Sequence, residues 1–329
     1  MRPRAVARPA IFDASPQPTA MNGGKHVLFS LIIPTLNRRE EVARLLVSIE
    51  AQTCRDFEII IVDQNAGDLL DEICRDFARR MPLMHLKTAS KGAARARNLG
   101  LGFAKGSLIN FPDDDCELTP DLLARVAARF GESPELDGLF ARAIDPESGE
   151  SSVTKFVAQS QRVTATNLYG TTVEFTMFVR RSIFEDVGLL DENLGVGTFF
   201  GAEEGADFVL RALYMKKRLH YDPLLLMYHP RKVAHYDAKE RARAYSYGRG
   251  FGRLSVKHLL LFRRPGAAIR FLSFQTRSAV AFILYLCLLK PARSRYYFNV
   301  ILGRLVGAFD SWRELWNAGR IARRCGSPA

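Results

Sequence analysis

The chain has 329 residues, 47% of them hydrophobic, 25% charged and 10% aromatic, which excludes disordered, collagenous and disulfide-scaffold classes. Five cysteines (Cys54, Cys74, Cys116, Cys287, Cys325) are scattered without CxxC spacing. Neither a structural zinc site nor a secreted disulfide framework is expected, and a reducing cytosol is the default. The formal net charge of +12 is unevenly placed: from Arg241 onward, 17 Lys and Arg stand against Asp310 and Glu314, while the first 240 residues carry 30 basic and 33 acidic groups. A near-neutral body with a basic tail points to an anionic surface, either nucleic acid or the cytoplasmic membrane leaflet.

Residues 1–25 are rich in Pro, Ala and Arg and lack an apolar core stretch, so they read as a disordered extension and not as a secretory signal. From Val27 the pattern changes. VLFSLII, FEIIIVD (57–63), LMHLK (83–87) and SLINF (107–111) are short apolar runs, separated by helical patterns over roughly 38–51, 68–80 and 92–105. Strands alternating with helices predict βαβ units and an α/β open sheet with helices on both faces. Ligands bind such sheets beyond the carboxyl ends of the strands, so the residues just past each strand are the candidates for chemistry.

Past the first strand come Pro34, Thr35 and Asn37; the second ends in Asp63; the fourth runs into Asp113, Asp114 and Asp115. Three adjacent carboxylates repel and shift upward in pKa unless a cation sits among them. A hard divalent ion takes oxygen ligands and bridges carboxylates to substrate phosphates. The alternative is a solvated turn in which Asp115 caps the helix near Pro120. Gly92, Arg95, Arg97 and Asn98 begin the helix before this acidic segment, and a helix N-terminus with arginines is a natural anion site. Together they describe a diphosphate–metal site, with Asp63 placed to accept hydrogen bonds from a base or ribose. Neither GxGxxG nor GxxxxGK[ST] follows the first strand, so a dinucleotide or P-loop enzyme is excluded.

The run SLIIPTLNR, EIIIVD, KGAARARNLGLGFAKGSLINFPDDD, then TMFVRRSIFEDVGLLDENLG (176–195), GAEEGADFVLRAL (201–213) and LHYDPLLLMYH (219–229) resembles the family 2 glycosyltransferases, which have the GT-A fold. The resemblance covers residues 27 to 229, about three fifths of the chain. It implies that Asp113 and Asp115 hold Mn2+ or Mg2+ against the donor diphosphate, with Asp114 between them and His229 as a further metal or phosphate contact. It implies that Pro34, Thr35, Asn37 and Asp63 line the base and ribose pocket, with Gly92 and either Arg95 or Arg97 at the pyrophosphate. The general base of an inverting transfer comes in this family from a Glu-Asp pair shortly before an Asp-Phe/Leu…Arg helix. Here the pair is Glu203-Glu204 and the gap to Asp207 is one residue longer, leaving Glu204, Glu203 and Asp207 as candidates in that order. Asp207 and Arg211 also fit a plain i,i+4 ion pair. The glycines at 195, 197, 201 and 205 suggest a mobile acceptor-side loop, a lid.

The division expected is a GT-A domain over 26–235 (nucleotide-sugar half 26–130, acceptor half 131–235) and a helical, basic, membrane-associating region over 236–329. SYGRGFGRL (246–254) reads as close helix packing or a turn. Ala279–Leu289 is an uncharged stretch of 11 residues; as a helix it spans about 17 Å against a hydrocarbon core of about 30 Å, too short to cross alone. With the flanking apolar and aromatic runs it reads as interfacial helices, or else as core packed on the catalytic domain. The family's processive members carry several spanning helices and a QxxRW motif, so their absence implies one sugar per acceptor visit. The reading is thus a metal-dependent, inverting transferase at the inner face of the cell membrane. It takes a nucleotide sugar, UDP first, to a lipid-linked saccharide in polysaccharide synthesis. The competing readings are a non-catalytic nucleotide-sugar binder and a basic nucleic-acid-binding protein; no nucleic-acid signature supports the latter.

Overall fold

The computed structural model describes residues 27–231 and 235–324, excluding side chains from 318 onward. The N-terminal extension and Cys325 lie outside the described residues. The first half alternates as read: β1 (Phe29–Thr35), α1 (Glu40–Glu50), β2 (Phe57–Asp63), α2 (Asp71–Ala78), β3 (Leu83–Lys87), α3 (Ala93–Leu101) and β4 (Leu108–Asn110). Then come β5 (Glu117–Leu118), α4 (Leu122–Glu132), β6 (Gly138–Ile144), β7 (Gln161–Arg162), β8 (Met177–Arg180), α5 (Ile183–Val187), α6 (Glu204–Tyr214) and β9 (Leu219–Tyr228). Three helices follow: α7 (Ala238–Leu260), α8 (Pro265–Cys287) and α9 (Pro291–Arg324).

The strands form one mixed sheet in the order β3-β2-β1-β4-β8-β6-β9-β5, with β7 beside β9. β1 pairs in parallel with β2 and β4, and β2 with β3. β4 and β6 both pair antiparallel with β8. The central strands are buried on both faces, so β1 and β2 read as unbroken apolar runs with no alternation. One face packs under α1, α2 and α4 through Leu45, Leu46, Phe77 and Val126. The other packs under α3, α5 and α6 through Ala94, Phe184, Phe208 and Leu210. Thr35 and Asp63 lie opposite each other at the ends of β1 and β2, and β4 runs out toward Asp113. The parallel half of the sheet therefore brings the polar strand ends together at one rim.

Past residue 235 the structure is helical, as expected, with one correction of extent. The apolar stretch read as 11 residues begins within the 23-residue α8 and runs two residues past its end at Cys287; the helix is about 35 Å long at 1.5 Å per residue. By length and composition it is the one helix among the described residues long and apolar enough to cross a membrane. The glycines of 246–254 prove to be close-packing sites: an added Cβ at Gly252 would stand 2.3 Å from the Arg304 carbonyl oxygen of α9. Asp115 does not cap α4; Asp121 stands at that N-cap position.

Candidate active site

Arg97, on α3, is the hub of the rim. Its Nη2 donates to Asp113 Oδ1 at 2.8 Å and its Nη1 to Glu204 Oε1 at 2.9 Å. The arginine is buried and both pairs are ionic, so one guanidinium joins the acidic segment after β4 to the head of α6. This settles which arginine reaches the acidic site. Arg95 instead pairs with Glu192 at 3.1 Å on the exposed side of α3.

The three aspartates differ in environment. Asp115 pairs with Arg38 Nη1 at 2.8 Å and with His229 Nε2 at 3.3 Å. Asp114 lies 3.6 Å from Arg38 Nε, and burial pushes its carboxyl up to about 6. Asp113, Asp115 and His229 each present one ligand atom, all within 4.8 Å of one another. Two carboxylate oxygens and an imidazole nitrogen are a donor set that fits a divalent cation. Asp63, Asp71 and His85 share that spacing, with Lys87 paired to Asp71.

The residues expected to line a base and ribose pocket are brought to the same rim. Thr35 is buried at the end of β1, and Asn37, in a left-handed conformation at φ 59°, donates its N–H to Asn65 Oδ1 at 2.8 Å. Asp63 is fully buried, with Oδ1 taken by the Asn65 backbone and side chain and Oδ2 by His85 Nε2 at 3.0 Å. Its geometry is that of a brace for the loops after β1 and β2. At the head of α3, the Gly92 N–H donates to Gln64 Oε1 and the Ala93 N–H to the Val196 carbonyl.

Asp207 is corrected as a base. Its Oδ1 receives Lys257 Nζ at 2.7 Å and His258 Nε2 at 3.0 Å, and its Oδ2 receives Arg211 Nε at 2.8 Å. Burial alone would raise its pKa, but Arg211, His258 and Lys257 hold the carboxyl well below the usual range. Asp207 locks α6 to α7. The glycines of 195–205 fit close approach more than free motion: Gly195 and Gly197 have φ of 100° and 91°, and a Cβ on Gly195 would meet the Glu204 carboxyl at 2.8 Å.

Two carboxyls border a cavity of about 280 Å³ walled by Phe140, Leu168, Tyr169, Met177 and Val209. One is Glu203, whose Oε2 accepts the Tyr169 hydroxyl at 2.8 Å. The other is Glu174, which no motif in the sequence marked. Burial, foremost, pushes both up to about 7. Glu174 sits on a single helical turn (Glu174–Thr176) before β8. Asn110 of β4 pins that turn by donating to the Phe175 and Met177 carbonyls at 3.0 and 2.8 Å. The Phe175 ring stacks on His229 with centroids 5.0 Å apart.

A mixed sheet whose parallel half carries clustered aspartates at the strand ends, with a carboxylate-headed helix beside them, is the GT-A arrangement. Residues 30–188 match the model of Glycosyl transferase family 2, and this stretch of the chain belongs to that family. Over 121 residues the chain is 37% identical to a PGL/p-HBAD biosynthesis glycosyltransferase of Mycobacterium bovis, a match covering 36% of this chain and 47% of that protein. The chain thus spans about half the length of such relatives. Among solved structures, the fold is similar to that of the mannosyltransferase PcManGT from Pyrobaculum calidifontis, in complex with GDP-Man and Mn2+. That likeness has a TM-score of 0.57 at 17% identity and covers 91% of this chain and 92% of that one. It is also similar to S. aureus TarS 1-349 in complex with UDP-GlcNAc, at TM-score 0.54 and 19% identity, covering 88% and 92%.

Proposed function

We propose that this protein is an inverting, metal-dependent glycosyltransferase. It moves one sugar from a nucleoside-diphosphate sugar to a hydroxyl of a lipid-linked saccharide in surface-glycan synthesis. The observation that carries the reading is the Arg97 bridge between Asp113 and Glu204, which unites the metal-ligand aspartates with the carboxylates at the head of α6. Asp113, Asp115 and His229 would hold Mn2+ or Mg2+ there. Such an ion neutralises charge on the departing diphosphate. Arg38 and Arg97 keep the acidic segment ordered. Thr35, Asn37 and the Asp63–Asn65 brace shape the wall for base and ribose. The complexes of the structural neighbours with UDP-GlcNAc and with GDP-Man support a nucleotide sugar, and a UDP-sugar is the first candidate.

The cavity beside Glu174 and Glu203 is the place for the acceptor. A carboxylate bordering the head of α6 takes the acceptor proton as the sugar inverts. The C-terminal helices attach the enzyme to an anionic membrane. Ile269, Leu272, Val280, Ile283 and Leu286 of α8, with Phe309, Trp312 and Trp316 of α9, are exposed apolar groups beside a basic tail.

Isothermal calorimetry with UDP, UDP-GlcNAc, GDP and GDP-mannose, each with and without Mn2+, tests the donor half. Metal-dependent binding of one nucleotide and its sugar is expected. Binding of none removes the assignment.

A further inference from the structure

We propose that Glu174 is the catalytic base of the transfer, its carboxylate removing the proton of the acceptor hydroxyl. The inference deepens the glycosyl-transfer reading and rests on it.

The other carboxyls are otherwise committed. Asp207 is neutralised by three cationic or hydrogen-bonding partners. Glu204 is paired with the buried Arg97, packed under Gly195, and does not line the cavity. Proton uptake there would cost the Arg97 ion pair. Glu203 lines the cavity, but the Tyr169 hydroxyl donates to it at 2.8 Å, and the positive charge acting on it is that of Arg304 of α9.

Glu174 has the opposite arrangement. It lines the same cavity, and the charges that act on it are those of Glu204, Arg97 and Asp113, the three members of the Arg97 bridge. Its Oε1 accepts the Gly205 N–H at 3.1 Å, and among the described residues no Lys or Arg forms an ion pair with it. Gly205 is what admits it: a Cβ at position 205 would lie 2.2 Å from Glu174 Cγ and 2.5 Å from Oε1. The Glu174 carboxyl fills the volume a side chain at the head of α6 would occupy. Asn110 fixes the turn that carries it to the strand leading into Asp113.

In the step, the acceptor O–H proton passes to the Glu174 carboxylate and the oxygen forms the new bond to the anomeric carbon. The bond from that carbon to the diphosphate oxygen breaks, and its electron pair leaves with the nucleoside diphosphate. A carboxyl buried near neutral pKa suits this role.

The test exploits nucleophiles that differ in needing a base. UDP-GlcNAc and GDP-mannose are supplied with Mn2+, and turnover is followed to water and to azide, which has no proton to lose. With E174Q, metal-dependent UDP or GDP binding should persist and hydrolysis should fall by about 10²-fold or more. Azide transfer should stay within a few-fold of the native rate. E203Q and E204Q should show no such split. Native hydrolysis in E174Q, equal loss of hydrolysis and azide transfer, or the split appearing in E203Q would each overturn the proposal. A native chain that turns over neither donor would instead defeat the transfer reading itself.

Discussion

Arg97 shows how one residue organises this rim. A buried guanidinium shared by Asp113 and Glu204 ties the acidic segment after β4 to the head of α6, and a lysine, with one point charge, has no fork to span both. R97K should therefore keep the fold and lower metal-dependent donor binding and turnover together, by about tenfold or more, measured by calorimetry and donor consumption. Asp115→Ala should abolish Mn2+-dependent nucleotide binding; unchanged metal dependence would remove Asp115 from the ligand set. Burial raises both Glu174 and Glu203 to about 7. A base is active when deprotonated, so turnover should be low below this value and rise as pH increases through it. The midpoint belongs to the interacting carboxyls as a group. A rate flat between pH 5.5 and 8.5 would contradict this.

Much of the site was readable residue by residue because it follows strand ends: Thr35, Asp63 and the Asp113–Asp115 run fall where the pattern of strands puts them. Glu174 was not readable. It lies in TTVEFT, a segment without periodicity, and reaches the site through the Asn110 clamp and the bare backbone of Gly205, which are tertiary facts. Asp207 was ambiguous for the reverse reason. Its i,i+4 partner Arg211 was visible in sequence, while Lys257 and His258, some fifty positions away, were not.

At the scale of elements, α7 ties the helical tail to the catalytic domain, with α8 adding the Arg270 contact to the Ala165 carbonyl. Lys257 and His258 reach Asp207 at the start of α6, and Lys257 also reaches Asp191 at 2.8 Å. Asp207→Ala removes the carboxylate that Arg211, Lys257 and His258 share and leaves Lys257 with Asp191 alone, so it should cost about 3 kcal/mol, read by denaturant unfolding. Its depressed pKa means the stabilisation is present above the ordinary aspartate range and is lost as pH falls through the folded value. The α7–α9 crossing relies on missing side chains: a Cβ on Gly307 would stand 2.1 Å from the Arg249 carbonyl oxygen, whereas one on Gly266 meets nothing within 4 Å. Gly307→Ala should destabilise by about 2 kcal/mol through overpacking, and Gly266→Ala should not. Equal melting temperatures for the two variants would contradict the packing. The composition of SYGRGFGRL suggested close packing, but its partner, the parallel-running Gly303 and Gly307 of α9, came from the structure.

Over the whole molecule, charge and apolar exposure divide as the sequence divides. A near-neutral catalytic body precedes a segment with 17 basic residues, and α8 exposes Ile269, Leu272 and Leu284 along its length. The full chain should sediment with vesicles containing anionic phospholipid, more weakly as salt rises, and little with neutral vesicles. Equal binding to both vesicle types would remove the electrostatic part of the account. The tail's helical content was legible from its apolar runs; the 23-residue length of α8 was not, because Arg270 and Arg277 interrupt the hydrophobic signal within one helix.

The central claim is that the rim between Asp113 and Glu204 holds a nucleoside diphosphate with a divalent ion and passes on its sugar. The most direct measurement is calorimetric titration of the full chain with UDP-GlcNAc and GDP-mannose, each with and without Mn2+. The account predicts saturable binding of one of them that requires the ion and disappears in Asp115→Ala. Binding of neither donor, or binding indifferent both to the ion and to Asp115, would contradict it.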